Sequence, residues 1–131
     1  MRFHAFLLLT MFVAAAARAE SVAPEGTGTW LDLVDKGQYA ESWSRTGSYF
    51  QAQVTQDAWV TRIGPVRAPL GAVKSRNLRS VDYIKSLPGA PDGDYAIVKY
   101  DTEFANKSQS TETVAMVRER GEWRLVGYFI K

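Results

Sequence analysis

The second half of the chain alternates between apolar and polar residues, and this pattern constrains the fold most. The clearest example runs from Asp94 to Phe104, where mostly apolar positions alternate with Lys99, Asp101 and Glu103. A period of two residues is typical of a strand with one buried face. Further segments predict strands at 74–86, 112–120 and 123–130. Because short turns join neighbouring segments, we expect a four-stranded antiparallel meander.

The preceding region has helical spacing instead. Thr29 can cap a first helix that starts at Trp30, and Thr55 can cap a third. Between them, the spacing predicts a second helix over 39–54. We expect Gly47 to weaken the second helix and Gly64-Pro65 to end the third. Helices followed by a sheet indicate an α+β fold in which the helices cover the apolar face of the sheet.

The first nineteen residues are typical of a secretory signal. Arg2 precedes an apolar core over 6–13, and Ala17-Arg18-Ala19 fits the small-x-small rule for cleavage before Glu20. The apolar core is shorter than the ~20 residues that a bilayer span needs. We therefore expect an exported protein, in the periplasm or outside the cell, with no transmembrane span after cleavage.

Cleavage changes the size and charge of the protein. The first 19 of 131 residues include Arg2, Arg18 and His4, the only histidine, so 112 residues remain with 14 basic and 14 acidic side chains. This neutral balance argues against nucleic-acid binding, which needs a cationic excess. The length suits one domain. We divide the chain into a signal peptide (1–19), a flexible leader (20–28) and a single α+β domain (29–131).

Several sequence blocks occur together along nearly the whole expected mature chain. They are Trp30-Leu-Asp-Leu-Val-Asp-Lys-Gly-Gln-Tyr-Ala-Glu-Ser-Trp43, Arg67-Ala-Pro-Leu-Gly71, Ser75-Arg76, Leu87-Pro-Gly-Ala-Pro-Asp-Gly-Asp-Tyr95, Phe104-Ala-Asn-Lys107, Glu112-Thr-Val114 and Gly121-Glu-Trp-Arg-Leu-Val-Gly-Tyr-Phe-Ile130. Together they resemble the bacterial exported family catalogued as domain of unknown function 4019, which has no established activity to carry over. The order of elements is similar to the cystatin-like, nuclear-transport-factor-2-like cone, which implies N-terminal helices packed on a curved four-stranded antiparallel sheet.

The residue types of the expected mature chain exclude several chemistries. Without His or Cys it has no Ser-His-acid or Cys-His nucleophile and no zinc site built from those ligands. Asp92-Gly-Asp94 lies in a turn and lacks the spaced acidic set of a calcium loop. We interpret it as ordinary turn chemistry and expect neither metal nor cofactor.

The segment 62–85 carries six cations against Asp82 as its single acid. One interpretation is a site for an anionic partner, such as an anionic component of the cell envelope. The other is an edge strand that charges guard against self-association. Arg67 and Arg76 lie in the family-like blocks, and they are candidate ligand-binding residues because arginine grips anions with two parallel bonds.

Large aromatic residues are the second candidate group. Four tryptophans, together with Tyr39, Tyr49, Tyr100 and Tyr128, could line a ligand cavity or could fill the core with rings. On the first interpretation, the small-molecule candidates are Trp43, Tyr39 and Tyr128. We expect Trp123, which follows a hairpin turn, to face the core.

The composition therefore favours an exported, non-catalytic binding or interaction protein whose ligand is unknown. The alternative is a cone-fold isomerase or dehydratase that moves a proton with Asp35, Glu103 or Glu112 and a neighbouring tyrosine: Tyr39, Tyr100 or Tyr128. A carboxylate base needs burial to raise its pKa toward neutrality. An open apolar cavity around a buried carboxylate would favour the enzyme, and a closed, ring-filled core would count against it.

Overall fold

A computed structural model of the chain describes residues 22–131; the expected signal peptide and its cleavage site lie outside this range. Four helices precede a four-stranded sheet. The helices are α1 (Thr27–Asp35), α2 (Tyr39–Ser44), α3 (Ser48–Gln53) and α4 (Gln56–Arg67), followed by a 3₁₀ turn at Ala68–Leu70. The strands are β1 (Val73–Ile84), β2 (Tyr95–Phe104), β3 (Lys107–Glu119) and β4 (Glu122–Ile130). Within residues 22–131, no helix is both long enough and apolar enough to cross a membrane.

The first helix begins earlier than predicted. It starts at Thr27, within the expected leader, with Gly26 as its N-cap in a left-handed conformation. Thr27 is buried, and its hydroxyl donates to the carbonyl of Pro24 (2.8 Å). The prediction that Thr29 caps this helix is therefore wrong, because the turn at 24–27 already starts it.

Helix α4 corresponds to the predicted third helix. Its predicted start is confirmed, but its predicted end is wrong. The Thr55 hydroxyl accepts a hydrogen bond from the backbone N–H of Ala58 (3.1 Å), as expected of an N-cap. The helix continues through Pro65, on its exposed face, to Arg67. A proline removes one backbone donor, and here the last turn tolerates that loss. The extra residues place Arg67 in the interior.

The predicted second helix is divided into α2 and α3 at Gly47. The backbone N–H of Gly47 donates to the carbonyl of Leu125 (2.8 Å), and Thr46 forms a parallel bridge with Leu125. This short contact holds the connection between the two helices along β4.

The sheet has the predicted antiparallel order β1-β2-β3-β4. Strand β3 begins at Lys107, five residues before its predicted start, because the turn occupies only residues 105–106. The last hairpin turns at Arg120-Gly121, one residue before the gap at 121–122 that the predicted strands leave, and both residues have positive φ (52° and 81°). Such angles suit the two-residue turns that join twisted strands.

One hydrophobic cluster joins buried residues of the helices and strands. Trp30 lies at its centre, with ring centroids 6.1 Å from Trp59 and 5.1 Å from Tyr128. On β2 and β3 the buried members have even numbers: Ala96, Val98, Tyr100, Val114 and Met116. Trp123 is partly buried and packs against the cluster beside Tyr83. Thr102 on β2 and Glu112 on β3 continue this even-numbered series, and both are buried.

Candidate functional site

Four charged residues from four elements meet on this interior face. Asp35 ends α1, Arg67 ends α4, Arg76 lies on β1 and Glu112 lies on β3. The strand register brings Arg76 and Glu112 together across β2. Arg76 pairs with Thr102 of β2, and Glu112 pairs with Tyr100, two residues earlier on the same strand. We call Asp35, Arg67, Arg76 and Glu112 the charge cluster. It contains two cations and two carboxylates, so its charges balance.

Glu112 is the most deeply buried member of the charge cluster, and its side chain is 0% exposed. Its Oε1 accepts from Arg76 Nε (2.7 Å) and from the Thr102 hydroxyl (2.6 Å). Its Oε2 accepts from Arg76 Nη2 (3.2 Å) and from the Tyr128 hydroxyl. A carboxylate offers about four acceptor positions. Glu112 is therefore fully hydrogen-bonded.

Arg76 joins both carboxylates. Besides its two bonds to Glu112, it donates from Nη1 to Asp35 Oδ2 (2.8 Å) and from Nη2 to Asp35 Oδ1 (2.9 Å). Burial alone would lower the pKa of Arg76, but the hydrogen bonds and charges of Asp35 and Glu112 raise it well above its ordinary value. Arg76 is thus a permanent cation that fixes two acids from different elements.

Arg67 completes the cluster from the helical side. It donates from Nη2 to Asp35 Oδ1 (3.1 Å) and from Nη1 to the carbonyl of Gly71 (2.6 Å). Its guanidinium lies over the ring of Phe104, 4.5 Å from the centroid, a cation–π contact. The Nε of Arg67 is buried and has no hydrogen-bond partner among residues 22–131. One donor of this buried arginine therefore remains unused.

The environment shifts the pKa values of two further groups. Burial opposes ionisation of Asp35, but hydrogen bonds and charges from Arg76 and Arg67 outweigh it, so the pKa of Asp35 is lowered. Burial, and then the charge and hydrogen bond of Glu112, raise the pKa of the Tyr128 hydroxyl far above its usual value. At neutral pH, Asp35 is therefore an anion and Tyr128 is a neutral donor.

The structure brings only some of the sequence candidates together. Arg67, Arg76 and Tyr128 meet at the charge cluster. Trp43 instead donates from its indole N–H to the carbonyl of Val54 (2.8 Å). Tyr39 lines a separate cleft of about 670 Å³ beside α2. No single ligand cavity is therefore formed by all five residues.

The remaining acid and tyrosine candidates for proton transfer separate in the same way. Asp35 and Glu112 lie in the charge cluster, whereas Glu103 lies near the surface, 4.0 Å from Lys74. Tyr100 is buried between β1 and β3, and burial raises its pKa. Of the three candidate acids, only Glu112 therefore bonds Tyr128, and Asp35 is linked to it through Arg76.

Other cations of the segment 62–85 form ion pairs near the surface. Lys74 lies by Glu103, Arg79 bonds Asp101 and Lys85 bonds Asp94. Exposed pairs of this kind contribute little to stability, about 0–1 kcal/mol. Their positions along and just beyond β1 agree with the interpretation of a guarded edge strand, and Arg67 and Arg76 differ from them by burial.

The turn at 92–94 shows no ligand arrangement. Asp94 is held by Lys85, and within residues 22–131 no group of three or more His, Cys, Asp or Glu side chains is placed to hold a metal ion.

On the outer face of the sheet, a cavity of about 510 Å³ is lined by polar side chains of β1 to β3, including Asn77, Arg79 and Asp101.

Sequence reasoning identified the members of the charge cluster but not their relationship. Arg67 and Arg76 were candidates for an external anion, while Asp35 and Glu112 were candidates for proton transfer. The alternation of β2 and β3 placed Thr102 and Glu112 on apolar faces, and a charged residue on a buried face is the signal that could have paired Glu112 with a cation. Nothing in the local sequence around Asp35 indicates that both arginines reach it.

Residues 22–131 form an α+β fold with four helices and an open four-stranded antiparallel sheet. The family described as "Protein of unknown function (DUF4019)" matches residues 27–128, and the chain belongs to it. The match confirms the family resemblance over the helices and the sheet. No curated protein matches the chain.

Proposed function

We propose that this protein is an exported, non-catalytic binding protein of the periplasm or the extracellular space. The signal-like segment 1–19 supports export, since its charge, apolar length and small-residue end follow the usual order. We further propose that the sheet is curved around the helices, as in the cystatin-like, nuclear-transport-factor-2-like cone. The cluster that joins Trp30 and Trp59 to the sheet supports this arrangement.

One observation carries the non-catalytic part of this proposal: the carboxylate of Glu112 is fully buried and fully hydrogen-bonded. A general base must reach the proton it removes, directly or through one water molecule. Glu112 has no exposed surface, and its acceptor positions are occupied by Arg76, Thr102 and Tyr128. Taking part in proton transfer would require the charge cluster to open.

Tyr128 bonds Glu112, and Arg76 links Glu112 to Asp35; this grouping is the one feature that favours the isomerase or dehydratase alternative. Their electrostatics oppose it. The lowered pKa of Asp35 makes it a poor base at neutral pH, and the raised pKa of Tyr128 makes it a poor acid. The interior beside them is filled by rings, with Trp30 5.1 Å from Tyr128. These contacts suit a structural role for the three groups.

The test of the proposed function is native mass spectrometry of protein purified after export. We expect a co-purified small molecule that dissociates on mild activation. The control is the same chain produced without residues 1–19 and kept in the cytoplasm, where an envelope ligand is absent. Exported protein that carries no more bound mass than this control would contradict the proposal.

A further inference from the structure

Arg67 and Arg76 converge on one carboxylate. Arg76 holds Asp35 with two bonds of 2.8 and 2.9 Å, and Arg67 adds a third of 3.1 Å. A planar guanidinium fork matches the two oxygens of a carboxylate, which makes such pairs specific in geometry as well as in charge. The two arginines therefore form a three-donor slot for a planar anion.

Asp35 is the most exposed member of the charge cluster. The side chain of Asp35 is 22% exposed, against 15% for Arg76 and 4% for Arg67, while Glu112 closes the inner end with 0%. Asp35 is also the last residue of α1, two positions before Gly37, which has a positive φ of 73°. Of the two carboxylates in the charge cluster, the one on Asp35 is therefore the closer to solvent.

A second observation is that the bonds of Arg67 leave one of its donors over. The Nε of Arg67 is buried without a hydrogen-bond partner among residues 22–131, although the residue is almost fully covered. Buried polar groups are nearly always hydrogen-bonded, so an unused charged donor requires a reason. Asp35 therefore does not use every donor that the two arginines present.

We propose that Arg67 and Arg76 form a carboxylate-binding site, that Asp35 fills it within the chain, and that a ligand's carboxylate binds by displacing Asp35. This inference rests on the proposed function, since it names the chemical class of the ligand. A carboxylate replaces a carboxylate, so the buried charges stay balanced. A neutral ligand would leave the two arginines with Glu112 alone, a costly arrangement for buried charge.

The first experiment removes the internal occupant. Asp35→Ala empties the slot, and added potassium formate, a minimal planar carboxylate, should fill it. For a dissociation constant of about 10 mM, about 0.1 M formate raises the folding equilibrium constant about tenfold. This corresponds to a rise in Tm of about 5 °C for a domain of this size. Potassium chloride at equal concentration separates site binding from general salt effects.

The matched control is Asp101→Ala, which removes the partner of exposed Arg79. We expect formate and chloride to affect the Tm of this control equally. Asp35→Ser serves if Asp35→Ala does not fold, because its shorter, uncharged side chain keeps a polar group at the end of α1 and leaves the slot empty. If formate stabilises neither Asp35 variant more than chloride does, the slot is not a carboxylate site.

The second experiment tests displacement in the full, unaltered chain. Two-dimensional ¹H–¹⁵N NMR resolves arginine Nε–H groups, and formate up to about 0.5 M should shift those of Arg67 and Arg76 and the backbone amide of Asp35 in a saturable way. Shifts that equal those in chloride would overturn the displacement step. A co-purified ligand that leaves these signals unchanged would overturn the inference while leaving the proposed function in place. If exported protein carries no bound ligand but formate still stabilises Asp35→Ala, the proposed function is contradicted and the carboxylate site is supported.

Discussion

Tyr128 donates a hydrogen bond to Glu112, and this bond connects the aromatic core to the charge cluster. The ring of Tyr128 meets Trp30 edge-on at 5.1 Å, while its hydroxyl satisfies a carboxylate that has no contact with water. A phenylalanine could fill the same space but could not donate. The two demands together explain why a tyrosine suits this position.

Replacing the hydroxyl alone should therefore be costly. Tyr128→Phe keeps the ring and leaves Glu112 Oε2 with one donor, from Arg76. We expect a loss of about 1–3 kcal/mol in the free energy of unfolding, measured in urea, because a buried charged acceptor loses a partner. Tyr83→Phe, at a tyrosine that is 58% exposed, should change stability by less than about 0.5 kcal/mol. Equal effects of the two substitutions would contradict the bond to Glu112.

Tyr128 should also make stability fall in alkali. Its folded pKa is raised above the ordinary value of 10.0, so above that pH the unfolded chain loses a proton that the folded protein keeps. The stabilising contribution is present below pH 10 and is lost as the pH rises further. Urea unfolding of the wild type and Tyr128→Phe should show a smaller difference in stability at pH 11 than at pH 8. A constant difference would contradict this direction.

Asp35 should have the opposite effect in acid. Its folded pKa is lowered from 3.8, so its contribution is complete well above that pH and is lost as the pH falls through the folded pKa. We expect the unfolding free energies of the wild type and Asp35→Asn to differ most near pH 7 and to converge below pH 3.8. Asp101→Asn, at an exposed ion pair, should differ from wild type at pH 7 by much less than Asp35→Asn does. Curves that stay parallel for Asp35→Asn would contradict the pairing with Arg67 and Arg76.

The tryptophans should differ in their contribution to stability. Trp30 is almost fully buried, and its indole N–H donates to the carbonyl of Ser42 (3.0 Å), so Trp30→Ala should cost about 3–5 kcal/mol. Trp123 is only partly buried, and we expect Trp123→Ala to cost about 2 kcal/mol. Thermal and urea unfolding of the two variants provide the measurement. A larger loss for Trp123 would mean that the β3–β4 hairpin, and not α1, contributes the dominant core ring.

The sequence was sufficient to predict much of the sheet. Alternation along β2 and the turns around it indicated the strand order, because both signals are local. The ends of the helices were harder to predict. Proline normally breaks a helix in its interior, yet α4 continues through Pro65, which lies on its exposed face. Only the tertiary position of Arg67 shows why the helix continues.

The charge cluster depends on register rather than on local pattern. Arg76 reaches Glu112 because β1 and β3 flank β2 with a particular pairing, and two register shifts in β1 contribute to that alignment. Asp35 meets the same arginine only through the placement of α1. Such long-range relationships leave no periodic signal in one sequence, so the four residues could be chosen as candidates while their pairing could not.

Glu112 is either a structural hydrogen-bond acceptor or a catalytic base. A double-mutant cycle with Arg76 distinguishes these two roles most directly. The cycle compares Arg76→Met, Glu112→Gln and the double variant by urea unfolding at pH 7. For a closed buried pair, we expect each single substitution to cost about 3–5 kcal/mol, because it leaves an uncompensated charge. The double variant should then cost less than the sum of the two single variants by about 2–3 kcal/mol. Additive losses, with the two residues coupled by less than about 0.5 kcal/mol, would contradict the structural role of Glu112.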